Sequence, residues 1–183
     1  MSPPSLKPML ILRATNLHWL DVTSPDPADL CVHSPVELVV GTERLVEADA
    51  GDWTVSASAL YLLRTLERPH TKGDPVGDHL FPCCGFTMYD IDGEDDVGIV
   101  GCPNGVDLEV KRHGDALNLT TADGNTHSVP FEDWKRAVCG FSYVLRAFYN
   151  GSPPRTPADP ENEKGFRKFM TEWDRRLMTC ANK

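Results

Sequence analysis

Between Lys72 and Lys111 the chain has no lysine or arginine at all, although basic residues are spread over the rest of its 183 positions. Long apolar runs are missing too: nowhere do eighteen apolar residues follow one another, which excludes a membrane-spanning helix read from sequence. The opening MSPPSLKPMLIL holds one lysine and only a four-residue apolar run before Arg13, too short for the apolar core of a secretory signal. A cytoplasmic protein is therefore expected. No Cys-x-x-Cys knuckle occurs, and no Gly-rich stretch is followed by Lys and a helix, so neither a common zinc motif nor a phosphate cradle is written in the chain.

What is present begins with charge. The net charge is -9, from 18 basic and 27 acidic residues, and the cation-free window carries nine acids: Asp74, Asp78, Asp90, Asp92, Glu94, Asp95, Asp96, Asp107 and Glu109. The remainder of the chain is thus neutral. Like-charge repulsion disfavours nucleic acid or an anionic membrane as a ligand of this window, whereas a basic protein surface or a cation is attracted to it.

Six cysteines accompany this charge. With no signal segment, a reducing compartment is expected and with it free thiols, leaving burial or metal binding as their uses. Cys83 and Cys84, with His79 before and Cys102 after them, offer soft ligands enough for Zn²⁺. Adjacent cysteines on an extended chain point to opposite sides, however, so buried thiols are the better reading. A cysteine nucleophile would need His70 or His79 as its base, and no groups to hold an oxyanion are identifiable. In DIDGEDD (90–96) the glycine stands fourth instead of sixth, and Gly101 replaces the twelfth-position Glu of a calcium loop, which argues against Ca²⁺. No metal or other cofactor is expected.

The periodicities predict an α+β fold, a mainly antiparallel sheet with about three helices packed on one face. Strands are expected in 9–20, 30–33, 36–40 and 44–47, the last two joined at Gly41-Thr42. Asp52 is expected to cap a helix carrying Trp53, Ala57, Leu60 and Leu63. Alternation in GVDLEVK (105–111), with turns at Gly114 and Asp123-Gly124, predicts a meander ending near Val129. Trp134, Val138, Phe141, Leu145 and Phe148 follow at helical steps, and Asp159-Pro160 opens a last helix with Phe166, Phe169, Met170, Trp173 and Leu177 on one side. The other side of that helix holds Lys164, Arg167, Lys168, Arg175 and Arg176. One domain, 1–183, is expected, with halves at 1–72 and 73–183. The four tryptophans are expected in the core, and DIDGEDD at the tip of a hairpin.

HLFPCCG (79–85), GCPNG (101–105), FEDW (131–134) before a helix ending in FY, and GFRKFM-TEW (165–173) together resemble a bacterial family of the polymorphic-toxin immunity kind. The likeness runs from Tyr61 to Arg176. It implies a cytosolic, non-enzymatic inhibitor of a toxin, often one that attacks nucleic acid. On the residues themselves, Asp90, Asp92, Glu94, Asp95 and Asp96 are the expected contacts to lysines and arginines of a basic partner. Two other readings stay open: a metal- or thiol-dependent enzyme centred on His79, Cys83, Cys84 and Cys102, and a structural protein without a ligand.

Overall fold

The computed structural model of the protein describes residues 9–20, 26–83 and 87–181. Strand β1 (Leu10–Ala14) precedes β2 (His33–Ser34), β3 (Val36–Val40), β4 (Glu43–Val46) and β5 (Trp53–Thr54), and helix α1 (Val55–Arg64) closes the first half. Short strands follow: β6 (Phe81–Pro82), β7 (Thr87–Tyr89), β8 (Gly98–Val100) and β9 (Gly105–Val106). Then come β10 (Glu109–His113), β11 (Ala116–Thr120), β12 (Thr126–Pro130) and the long helices α2 (Phe131–Gly151) and α3 (Pro160–Ala181).

The fold is α+β, and every strand pair among the described residues is antiparallel. Pairing is divided among small sheets: β1-β3-β4, the β10-β11-β12 meander, and three two-stranded ribbons. In the meander Leu117 and Leu119 point inward beside Val110 and Val129, all four buried, as the alternation requires. The β3-β4 turn falls at Gly41, as its sequence suggests.

Helix α1 differs from expectation in two ways. Its N-terminus is Thr54, with no side-chain cap, and Asp52 instead meets His18 Nε2 at 2.9 Å. Trp53 belongs to β5 because it pairs with Ser34 of β2, as Thr54 does with His33, so the helix starts two residues later. All ten of its residues are buried, so α1 is a central core helix with no wet face. Its serines are satisfied inside: Ser58 Oγ donates to the Thr54 carbonyl, and Ser56 Oγ accepts from Val32 N–H.

Helix α3 begins as its sequence predicts. Asp159 Oδ1 accepts from the N–H groups of Glu161 and Asn162, capping the first turn. Phe169, Trp173 and Leu177 are buried, with Phe166 and Met170 packed against them. The four tryptophans are all buried in one hydrophobic cluster that runs from Leu12 to Leu177. Among the described residues no helix is long and apolar enough to cross a membrane.

Candidate functional site

Strands β7 and β8 form a hairpin in register Thr87↔Val100, Met88↔Ile99 and Tyr89↔Gly98, so DIDGEDD lies at its tip. Gly93 turns the chain with φ +80°, a conformation that an L side chain rarely adopts. The hairpin lies against α3, and Gly165 permits the contact: a Cβ there would stand 1.8 Å from the Met88 carbonyl oxygen. One turn on, Lys168 Nζ reaches into the tip, donating to Asp90 Oδ1 at 2.6 Å and to the backbone oxygens of Ile91 and Glu94. A single ammonium thus fixes the loop at three points.

The base of the hairpin is held by a buried charge network. Arg64 of α1 donates from Nε and Nη2 to the two carboxylate oxygens of Glu172 on α3, each at 2.8 Å, and from Nη1 and Nη2 to the carbonyls of Val76 and Val97. Glu172 also accepts from Val97 N–H and from Arg176 Nε. Arg176 Nη2 and Arg175 Nη2 then converge on Asp96 Oδ1 at 2.7 and 2.9 Å. Arg176 Nη1 lies 2.7 Å from Glu67, close as an ion contact but not aligned as a hydrogen bond. Burial pushes the Asp96 carboxyl up, but Arg176 and Arg64 beside it outweigh that and hold it below the usual range.

Two of the five expected contact residues, Asp90 and Asp96, are therefore already paired with cations of this chain. The side chains of Asp92, Glu94 and Asp95 make no ion pair or hydrogen bond among the described residues and are exposed. Asp90, Glu94 and Asp95 line a groove of about 440 Å³ together with Lys164, Arg167 and Arg175 of α3. Negative charge is displayed on a loop whose own positions are fixed from behind.

The cysteine centre assembles differently from either alternative. Cys84 lies outside the described residues. Cys83 N–H donates to the Asn104 carbonyl beside the β6-β9 pair, Cys102 Sγ lies 3.9 Å from the same oxygen, and Cys83 is a free thiol. His79 Nδ1 is buried, with no hydrogen-bond partner among the described residues. Among the described residues no three His, Cys, Asp or Glu side chains gather closely enough to hold a metal ion. Cys31 is a buried thiol whose pKa is pushed up to about 12 by that burial and by Asp29, so it is not a nucleophile at neutral pH.

The expectation that all six cysteines are thiols is corrected: Cys139 of α2 and Cys180 of α3 form a disulfide. They are 41 residues apart on separate helices, and only the packing of α2 against α3 brings them together.

His70, expected only as a possible base for a cysteine nucleophile, has another place in the structure. It is buried, its Nδ1 accepts from Val76 N–H, and its Nε2 meets Asp107 at 2.9 Å, which makes the ring the neutral Nε2–H tautomer. Burial raises Asp107, yet the bonds from His70 and from Leu80 N–H prevail and lower it. The pair ties the segment after α1 to β10, since His70 and Val110 also exchange backbone hydrogen bonds. A sequence signal existed for the Arg64–Glu172 pair: two charged residues standing on otherwise apolar helical faces.

Comparison with family models, curated proteins and solved structures yields no match for this chain.

Proposed function

We propose that the protein is a non-enzymatic binding protein of the immunity kind, which neutralises a cognate antibacterial toxin by covering a basic surface with the tip of the β7-β8 hairpin. The observation that carries this reading is the seating of the tip. Lys168, Arg175 and Arg176 hold Asp90 and Asp96 from behind, while Asp92, Glu94 and Asp95 are exposed and make no ion pair among the described residues. A loop fixed in this way loses little conformational freedom on binding, and its charge speeds encounter with a cationic partner. Phosphate-binding active sites of toxins that attack nucleic acid are such partners, since they are basic. The proposed place of action is the cytoplasm, where a bridge such as Cys139–Cys180 is of the transient, reactive kind.

The test begins with the genes that flank this chain's own: the reading expects one of them to encode a large secreted protein, and the C-terminal domain of that protein is the toxin to be used. Cells making that domain should survive only when this chain is made with it. Asp92→Asn, Glu94→Gln and Asp95→Asn together should leave the protein folded and weaken protection. Full protection by the triple variant would remove the tip from the reading, and lack of protection by the native chain would remove the toxin.

A further inference from the structure

The Cys139–Cys180 bridge joins the middle of α2 to the last turn of α3 and lines a surface groove of about 740 Å³ together with Glu132, Lys135, Gly140 and Tyr143. Cys139 is buried and Cys180 only half-buried, so Cys180 Sγ belongs to the more open residue of the two. Gly140, next to Cys139, stands in the interior of α2, where glycine weakens a helix relative to alanine. Among the described residues nothing requires it: it is exposed, and a Cβ built there meets no atom of theirs within 4 Å. Its missing side chain leaves the groove open beside the sulfurs.

We infer that the Cys139–Cys180 bridge is a thiol-exchange site, entered through this groove by a low-molecular-weight thiol. The incoming thiolate attacks Cys180 Sγ, the S–S bond breaks, and Cys139 leaves as a thiolate that takes a proton from water. Cys180 then carries a mixed disulfide. A second molecule of the small thiol attacks the mixed disulfide at its non-protein sulfur, freeing the Cys180 thiol and leaving as the small disulfide. Two small thiols are oxidised to one disulfide, and the protein bridge takes up two electrons and two protons.

Opening the bridge releases the last turn of α3, four residues beyond Arg176, which with Arg175 grips Asp96 at the base of the hairpin. That consequence rests on the reading of the hairpin as the binding element, whereas the exchange itself does not.

The experiment incubates the folded, oxidised full chain with reduced glutathione at neutral pH, quenches with acid and follows intact mass and peptide maps. A glutathione adduct on Cys180 should form at least about tenfold faster than the whole chain unfolds in the same buffer. Gly140→Leu, which has room for its side chain, should slow the adduct several-fold without lowering Tm. Exchange no faster than global unfolding identifies a purely structural bridge and overturns the proposal. So does exchange indifferent to Gly140→Leu, or a purified chain in which both cysteines alkylate before any reductant is added. Because none of these readouts involves a toxin, failure here and failure of the immunity reading are told apart.

Discussion

Arg64 and Glu172 face each other through two parallel hydrogen bonds of 2.8 Å, although both residues are almost entirely buried and lie on different helices. Desolvating two charges offsets most of their attraction, so the pair specifies how α1 and α3 meet more than it adds net stability. Breaking it is another matter. Glu172→Gln keeps the shape but leaves Arg64 and Arg176 without their shared carboxylate, and should cost about 3–5 kcal/mol in urea unfolding. A loss under about 1 kcal/mol would mean that water reaches the pair.

Lys168 offers a gentler perturbation, because it acts on the tip alone. Lys168→Met retains the aliphatic stem along α3 and removes the three bonds to Asp90, Ile91 and Glu94. The lysine side chain is 17% exposed and that of Asp90 43%, so the global cost should be about 1 kcal/mol or less. Local opening should rise instead. Hydrogen exchange at the amides of 90–97 should quicken while that of α1 stays as it was, and unchanged exchange at the tip would show that the lysine does not hold it.

The pH dependence of stability should carry the mark of His33. Burial lowers its pKa from the ordinary 6.5; Asp29 and Asp52 pull upward and His18 adds to the lowering, with burial prevailing. Its Nε2 meets Thr54 Oγ1 at 3.1 Å. The folded state thus keeps the ring neutral where the unfolded chain would bind a proton. Stability from this group is complete above pH 6.5 and is lost as pH falls below that value toward the lowered folded pKa. Tm should drop as pH falls below 6.5, and His33→Gln should drop less. Equal slopes for the two proteins would refute the assignment.

The extent to which the fold could be read in advance follows from where each signal lives. The meander, α2 and α3 were legible because one face of each is wet, so apolar residues recur with the period of the element: Leu117 and Leu119 at two, Trp134, Val138, Phe141 and Leu145 at three and four. Helix α1 was legible as a helix but not in its role, since a helix buried all round has no polar face to show its orientation. The acidic tip was readable as a hairpin from Gly93 and its flanking strands. That Asp90 and Asp96 are bound from behind was not, because their partners lie 78 and 80 residues away on α3. The Cys139–Cys180 pair was hidden for the same reason, and its prediction is the one that depends most on long-range closure.

The bridge closes a loop with a sequence separation of 41, and in the unfolded chain that closure removes conformations that the reduced chain can reach. Chain-entropy arguments set the effect at up to about 4 kcal/mol for such a loop, less where the reduced unfolded chain keeps residual structure. Arg146 still meets Asp174 through two bonds, at 2.7 and 3.0 Å, and Tyr143 Oη still donates to the Leu177 carbonyl, so α2 and α3 stay joined without the sulfurs. Cys139→Ser with Cys180→Ser should therefore fold, with stability lower by about 2–4 kcal/mol. The denaturant slope supplies the decisive readout. A more expanded unfolded state exposes more surface, so the double variant should unfold with a steeper slope than the oxidised chain. An equal slope, with stability lost all the same, would place the effect in the folded helices instead of the unfolded chain.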